Sequence, residues 1–211
     1  MDKILTNNDK YHFFIGNIFD SEEQITLLKH IQKKLKKKYI LKNYHVNNAF
    51  FSNMIYLGYF NIEMANLYMN NIVSHLLNAI SKKFSELECK YTGYKLEYDK
   101  SYYKISLKFT DKDNFLENII IPYLHNNAIL PIYDKKTNIK KPSIDLIYYK
   151  SSVYLGYKKD EIRIQVPEKN FKINHISLIK ATTTRVRTGT PSLHDQMNLV
   201  EVNRYHYPLN G

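Results

Sequence analysis

Hydrophobic positions change their period several times along the chain, and those changes divide it into elements. YHFFIGNIF (11–19) is aromatic and β-branched and reads as a first strand. Asp20 and Ser21 follow, with Gln24 three residues after Ser21, the spacing of a capping box. Ile25, Leu28, Ile31 and Leu35 then recur at helical spacing to about Lys38. AFFSNMIYLGYF (49–60) predicts a second strand ending near Gly58. Ile62, Ala65, Met69, Ile72, Val73, Leu76, Ile80 and Phe84 give a long amphipathic helix. YTGYKLEY and SYYKISLKF read as two strands turning at Asp99-Lys100. Asp113 can cap a third helix carrying Leu116, Ile119, Ile120, Tyr123 and Leu124, and Pro131 with DKKTNIKK (134–141) marks a loop. SIDLIYY (143–149), DEIRIQV (160–166), INHISLIK (173–180) and LVEVNRYHY (199–207) are the remaining predicted strands. The order β-α-β-α-β-β-α-β-β-β-β predicts an α+β fold, antiparallel sheet with helices packed on its faces.

Composition narrows the class. A chain of 211 residues with six glycines and six prolines fits one domain with little room for long linkers. The lone Cys89 excludes an internal disulfide framework and points to a reducing compartment. No apolar run approaches the roughly 18 residues of a membrane span, and MDKILTNNDK lacks the apolar core of a signal peptide. The expectation is a cytoplasmic protein with no membrane partner. The net charge of +11 favours polyanions, RNA or nucleotide first. Only four of the 31 basic residues are arginines, and lysine, asparagine, isoleucine and tyrosine are abundant. That is the usage of an AT-rich genome, so codon bias competes with ligand binding as the source of the charge. KHIQKKLKKK (29–38) reads as the solvated end of the first helix, where cations oppose the helix dipole.

Candidate chemistry concentrates in HISLIKATTTRVRTG (175–189). His175 and Ser177 form a His-x-Ser unit inside an apolar run. Arg185 and Arg187 alternate on an extended chain and can point to one side. Thr183 and Thr184 add hydroxyls, so the segment is a candidate phosphate cradle. The competing reading is an ordinary strand leading into a solvated loop. His194 and Asp195 are adjacent but would face opposite ways in a strand. No Cys-x-x-Cys, His-x-x-x-His or glycine-rich phosphate-loop pattern occurs, so no metal or cofactor is implied. The 19 tyrosines can stack bases, but strand and core positions account for them more simply.

Strand, helix, strand, helix, then a hairpin, a third helix and further strands resembles the 2H phosphoesterases, the family of the LigT-like RNA cyclic phosphodiesterases. FFIGNIFDSEEQITLLKHIQKKL is similar to that family's opening strand and helix. FSNMIYLGYF is similar to its His-x-Thr-Leu-x-x-Leu-Gly stretch, and VEVNRYHYPL to its final strand. The resemblance implies a bilobal domain over residues 1–211 with two His-x-Thr/Ser motifs, one per lobe. One histidine serves as base and the other as acid, and the hydroxyls hold phosphate oxygens. Aligning Leu57-Gly58 on the family's Leu-Gly puts Phe51 and Asn53 in the first motif. KPSIDLIYY then puts Ser143 and Asp145 in the second, and both histidines are missing. A rival register takes His45 of YHVNN with His175 and Ser177 as the working pair, with Asn47 where the first hydroxyl belongs.

Three functions remain open. The preferred one is a catalytically altered or inactive 2H-like protein binding RNA or nucleotide phosphate in a basic cleft. The second is an active, metal-independent phosphodiesterase for cyclic or 2'-5'-linked nucleotides, using His45 and His175. The third is a non-enzymatic scaffold with a protein partner, which would need an exposed apolar patch. A viral source, with the host cytoplasm as location, is an expectation that accompanies the resemblance.

Overall fold

The computed structural model describes residues 10–39, 44–46, 49–80, 86–99, 102–127, 141–150, 162–184 and 196–206. Among them the chain forms β1 (Tyr11–Ile18), α1 (Glu22–Tyr39), β2 (Tyr44–Val46), β3 (Phe51–Phe60), α2 (Ile62–Ile80), β4 (Leu87–Asp99) and β5 (Tyr102–Asp111). A π-helical turn (Leu116–Ile120) opens α3 (Ile121–Asn127), and β6 (Ser143–Lys150), β7 (Asn170–Ile173), β8 (His175–Thr184) and β9 (Gln196–His206) follow. The strands make two antiparallel sheets, of order β3-β1-β8-β9 and β2-β6-β5-β4-β7. The α+β class and the antiparallel sheets are as the periodicity predicts.

α1 starts where the capping box predicts. The Gln24 N–H donates to Ser21 Oγ at 3.3 Å, and Ser21 Oγ lies 3.0 Å from Gln24 Oε1. Its stripe Leu28, Ile31 and Leu35 is buried. Although α1 follows β1 of the four-stranded sheet, it crosses to the five-stranded one, where Gln32 Nε2 donates to the Leu146 carbonyl at 2.9 Å. α2 covers the four-stranded sheet, packing on β1, β3 and β8 through Ala65, Met69 and Ile72. α3 lies against α2 and β3.

Several expectations need correction. The third helix is capped by Asp111, not Asp113. Its buried carboxylate accepts the N–H groups of Phe115 (2.6 Å) and Leu116 (2.9 Å), while Asp113 is exposed. The wide turn that follows precedes Pro122, whose ring would meet the Asn118 carbonyl in a regular helix. The predicted strand 160–166 is absent over 162–166. Its alternation is real, with Ile162, Ile164 and Val166 half-buried against the core. Among the described residues no strand pairs with it, however: Lys38 Nζ donates to the Arg163 carbonyl and Tyr94 Oη to the Gln165 carbonyl at 3.3 Å. Pro167 follows, with no N–H to offer a ladder. β3 runs two residues past Gly58, which tolerates this through a backbone at φ +137°. The short β2 has no counterpart among the predicted strands.

Candidate functional site

The strands carrying the two predicted motif positions, β3 and β6, lie in different sheets and pack against each other. Among the described residues β3 is an edge strand rather than a central one, and β6 is paired on its outer side with the three residues of β2. Each strand carries a one-residue bulge at the same point. In β3 the pairing to β1 skips Met54, between Asn53↔Gly16 and Ile55↔Ile15, and also Leu57, between Tyr56↔Phe14 and Gly58↔Phe13, a second bulge with no counterpart in the β5–β6 pairing. In β6 the pairing to β5 skips Leu146, between Asp145↔Ser106 and Ile147↔Ile105. A bulge lets two consecutive residues turn toward the core. Met54 with Ile55, and Leu146 with Ile147, are accordingly all buried. The segments thus superpose in register as Phe51-Ser52-Asn53-Met54-Ile55-Tyr56 and Ser143-Ile144-Asp145-Leu146-Ile147-Tyr148. Gly16 makes the first bulge possible, because a Cβ there would overlap the Ser52 carbonyl oxygen.

The side chains at these matched positions differ sharply. Phe51 is buried, and Ser143 is half-buried. Asp145 is held by three donors: Ser106 Oγ at 2.7 Å, Tyr148 Oη at 2.8 Å and Lys104 Nζ at 3.2 Å. Lys104 also pairs with Glu97 at 2.9 Å, and Glu97 with Lys95 at 2.6 Å. Burial alone would lower the Lys104 pKa, but Asp145 and Glu97 outweigh it and raise it above its ordinary value. Burial likewise works against the Glu97 charge, yet Lys95 and Lys104 bring its pKa down to about 2. Asp145 is a predicted motif position, but its partners in this network across β4, β5 and β6 are not among the sites the sequence suggests. Its signal is present as Lys104, Ser106 and Lys108 alternating with Ile105, Leu107 and Phe109.

His175 and Ser177 lie on β8, two strands from β3 in the four-stranded sheet. His175 is buried, and burial with the Arg204 charge beside it lowers its pKa, which favours the neutral imidazole. Its Nδ1 lies 3.0 Å from Asn174 Oδ1, and its ring centroid is 6.0 Å from that of His206. Ser177 donates its hydroxyl to Glu201. Glu201 in turn binds Arg204 at 2.8 Å, and Arg204 reaches Asp20 at 2.5 Å. His45 is in β2 of the other sheet, paired with Tyr148 of β6. The rival pair therefore sits on strands of different sheets, neither of which bears the bulge shared by β3 and β6. Thr183 and Thr184 end β8. Arg185, Arg187 and the His194-Asp195 pair lie outside the described residues, as does Asn47.

No protein-family model matches this chain, and no curated protein matches it in sequence. Solved structures do match in fold. Escherichia coli LigT complexed with NADP+ superposes with a TM-score of 0.57 at 10% identity, covering 94% of this chain and 98% of LigT. TT0787 of Thermus thermophilus gives 0.56 at 12% identity, covering 93% and 97%. Kluyveromyces marxianus Usb1 with uridine monophosphate gives 0.53 at 9% identity, covering 82% and 94%. The fold is therefore that of LigT, TT0787 and Usb1. At these identities the likeness defines the fold alone.

Proposed function

We propose that residues 1–211 form a bilobal LigT-like domain that binds RNA or a nucleotide through phosphate, with the paired-histidine chemistry altered or lost. The observation that supports this most is the matched bulge. It supports reading β3 and β6 as corresponding strands, with Phe51 and Ser143 at their first motif positions. Phe51 cannot move a proton. Asp145, the second strand's other position, is saturated by Lys104, Ser106 and Tyr148 and is engaged structurally. Loss of one partner of an acid–base pair typically costs about 100- to 10,000-fold in rate. Nucleotide as ligand is supported by the fold's neighbours: LigT is complexed with NADP+ and with 3'-AMP, and Usb1 with uridine monophosphate. Arg185 and Arg187, with Thr183 and Thr184, are the proposed phosphate contacts.

The test is fluorescence anisotropy with labelled single-stranded RNA and competing 3'-AMP over a salt series. Replacing Arg185 and Arg187 together with alanine is expected to weaken binding and to lower the salt slope by about one unit for each phosphate these side chains neutralise. Unchanged affinity and slope would make the segment an ordinary polar loop. One observation favours the scaffold reading instead. Tyr59, Ile62, Met64 and Leu67, at the β3–α2 junction, are exposed and apolar. Capture of a protein partner that is lost on Leu67→Lys, without any RNA affinity, would favour that reading.

A further inference from the structure

Between Lys42 and Lys82 the chain holds no lysine or arginine, the longest such interval in a sequence with 31 basic residues, and its one acid is Glu63. β3 and α2 fill most of that interval. α2 is therefore a surface helix almost without charge, where α1, of similar length, carries six lysines and two glutamates. A helix that faces only water ordinarily carries charge on its outer side.

Contacts on three sides fix the rotation of α2. Ala65, Met69 and Ile72 are buried against the four-stranded sheet. On one flank Asn66 and Asn70 accept from Asn203 (2.6 Å) and Tyr205 (2.5 Å) of β9. On the other, Tyr68 packs on the Phe60 ring of β3, with centroids 5.3 Å apart. The side left over presents Glu63, Met64, Leu67 and Asn71, neighbours at spacings of three and four along the helix. All are exposed, Met64 at 39% and Leu67 at 52%. Apolar surface held outward in this way marks contact with another molecule.

Charge decides between the occupants. The net charge is +11, so a basic partner is repelled. An acidic one is drawn to lysine-rich surfaces such as α1 rather than to this one. Contact between two copies has a different requirement. About a twofold axis a residue on the axis meets its own copy, so a charge there would meet its like. Neutral side chains escape that penalty, and an amide both donates and accepts. With Leu67 on the axis, antiparallel helices set the residue four before it against the residue four after it. Each Glu63 carboxylate then faces the Asn71 amide of the other copy, acceptor against donor. The one charge on this face is thus matched in a contact of the face with itself.

We infer that the outer side of α2 is a self-association surface, on which two copies of this chain pack through antiparallel α2 helices centred on Leu67. This does not rest on the phosphate reading, and it differs from the scaffold reading, which gives the surface to a different protein. A single helix about 28 Å long and 10 Å across offers less than the roughly 800 Å² per partner of a stable complex. The dimer is accordingly weak, with a dissociation constant in the micromolar range.

The test is sedimentation velocity of the full chain from about 5 μM to about 500 μM, at low and raised salt. The sedimentation coefficient is expected to climb from monomer toward dimer. Raised salt should steepen the climb, because it screens the repulsion between two basic copies and leaves a neutral contact intact. Leu67→Lys sets lysine against lysine on the axis and is expected to weaken association at least about tenfold. Its melting temperature, measured at the dilute end, should be unchanged, since the position is exposed and lysine and leucine are similar helix formers. Should that variant be destabilised, Asn71→Asp, which sets a second carboxylate against Glu63, carries the test with the same expected loss. A monomer at every concentration would overturn the inference and return the surface to the scaffold reading. So would a dimer that the folded variant leaves intact, or one that salt dissociates, which would place lysine–carboxylate contacts at the interface.

Discussion

β3 and β6 share a backbone and differ in chemistry. Both turn on a one-residue bulge after the third motif position, and both bury the bulge residue with its successor. In β3 the leading position is a buried phenylalanine, continuous with the core. In β6 the corresponding face is polar, with Asp145 anchored to Lys104, Ser106 and Tyr148. A two-lobed proton relay needs a titratable group on both strands. Here the matched positions of β3, Phe51 and Asn53, carry none, and β6 uses its only carboxylate to hold three neighbours. The difference teaches that the bulge is a folding device independent of what the motif positions carry. Backbone likeness to LigT therefore predicts shape without predicting turnover.

The comparison breaks most visibly if the bulge residues are made small. Leu146→Ala and Met54→Ala each empty a buried site, and each is expected to cost about 2–5 kcal/mol in denaturant unfolding. Near-zero cost for one and full cost for the other would show that the bulges are not equivalent. Asp145→Asn comes next. It leaves Lys104, whose side chain is 20% exposed, with Glu97 alone, and weakens the bonds to Ser106 and Tyr148. A loss of about 1–3 kcal/mol is expected, where Phe51→Leu on the opposite strand would act through packing and show no pH dependence.

The same network makes stability respond to pH. The Glu97 pKa is about 2 in the folded protein, against roughly 4.3 in an unfolded chain. A lowered carboxyl contributes its full stabilisation above the unfolded value and loses it as pH falls toward the folded one. Melting temperature should therefore drop between about pH 5 and pH 2, and Glu97→Gln should flatten that drop. An identical profile in the variant would remove Glu97 from the network. The smallest effect is expected at Ser143, half-buried on the polar strand, where Ser143→Ala should stay within about 0.5 kcal/mol. A larger loss would mean that the first position of β6 also anchors the sheet.

Much of this is readable in the chain, for identifiable reasons. Leu28, Ile31 and Leu35 keep one period over a whole helix, and their burial follows. The likeness of FSNMIYL to SIDLIYY is legible as a pattern, but the bulges are not. Adjacent apolar residues at Met54-Ile55 and Leu146-Ile147 break strict alternation, which is the trace a bulge leaves. Alternation misleads at 162–166, because period two reports which side of an extended chain is buried and not whether a ladder forms. Lys38 and Tyr94 satisfy carbonyls there that a strand would have offered to a neighbour. Asp111 displaces Asp113 as the helix cap because its strand ends pointing at the first turn, a geometry set by tertiary structure. Ser177 reads as a phosphate ligand, yet Glu201 takes its hydroxyl, a cross-strand pairing invisible without the β8–β9 register.

The central claim, a LigT-like fold without its paired-histidine turnover, meets its most direct test in one phosphorus NMR experiment. Purified protein is incubated with a 2',3'-cyclic nucleotide beside a His175→Ala variant, and the cyclic phosphate signal is followed. A perturbed signal, showing binding, with the ester intact in both samples is the expected result. Steady conversion to a monoester by the unmodified protein, abolished in His175→Ala, would contradict it and assign the chemistry to His175.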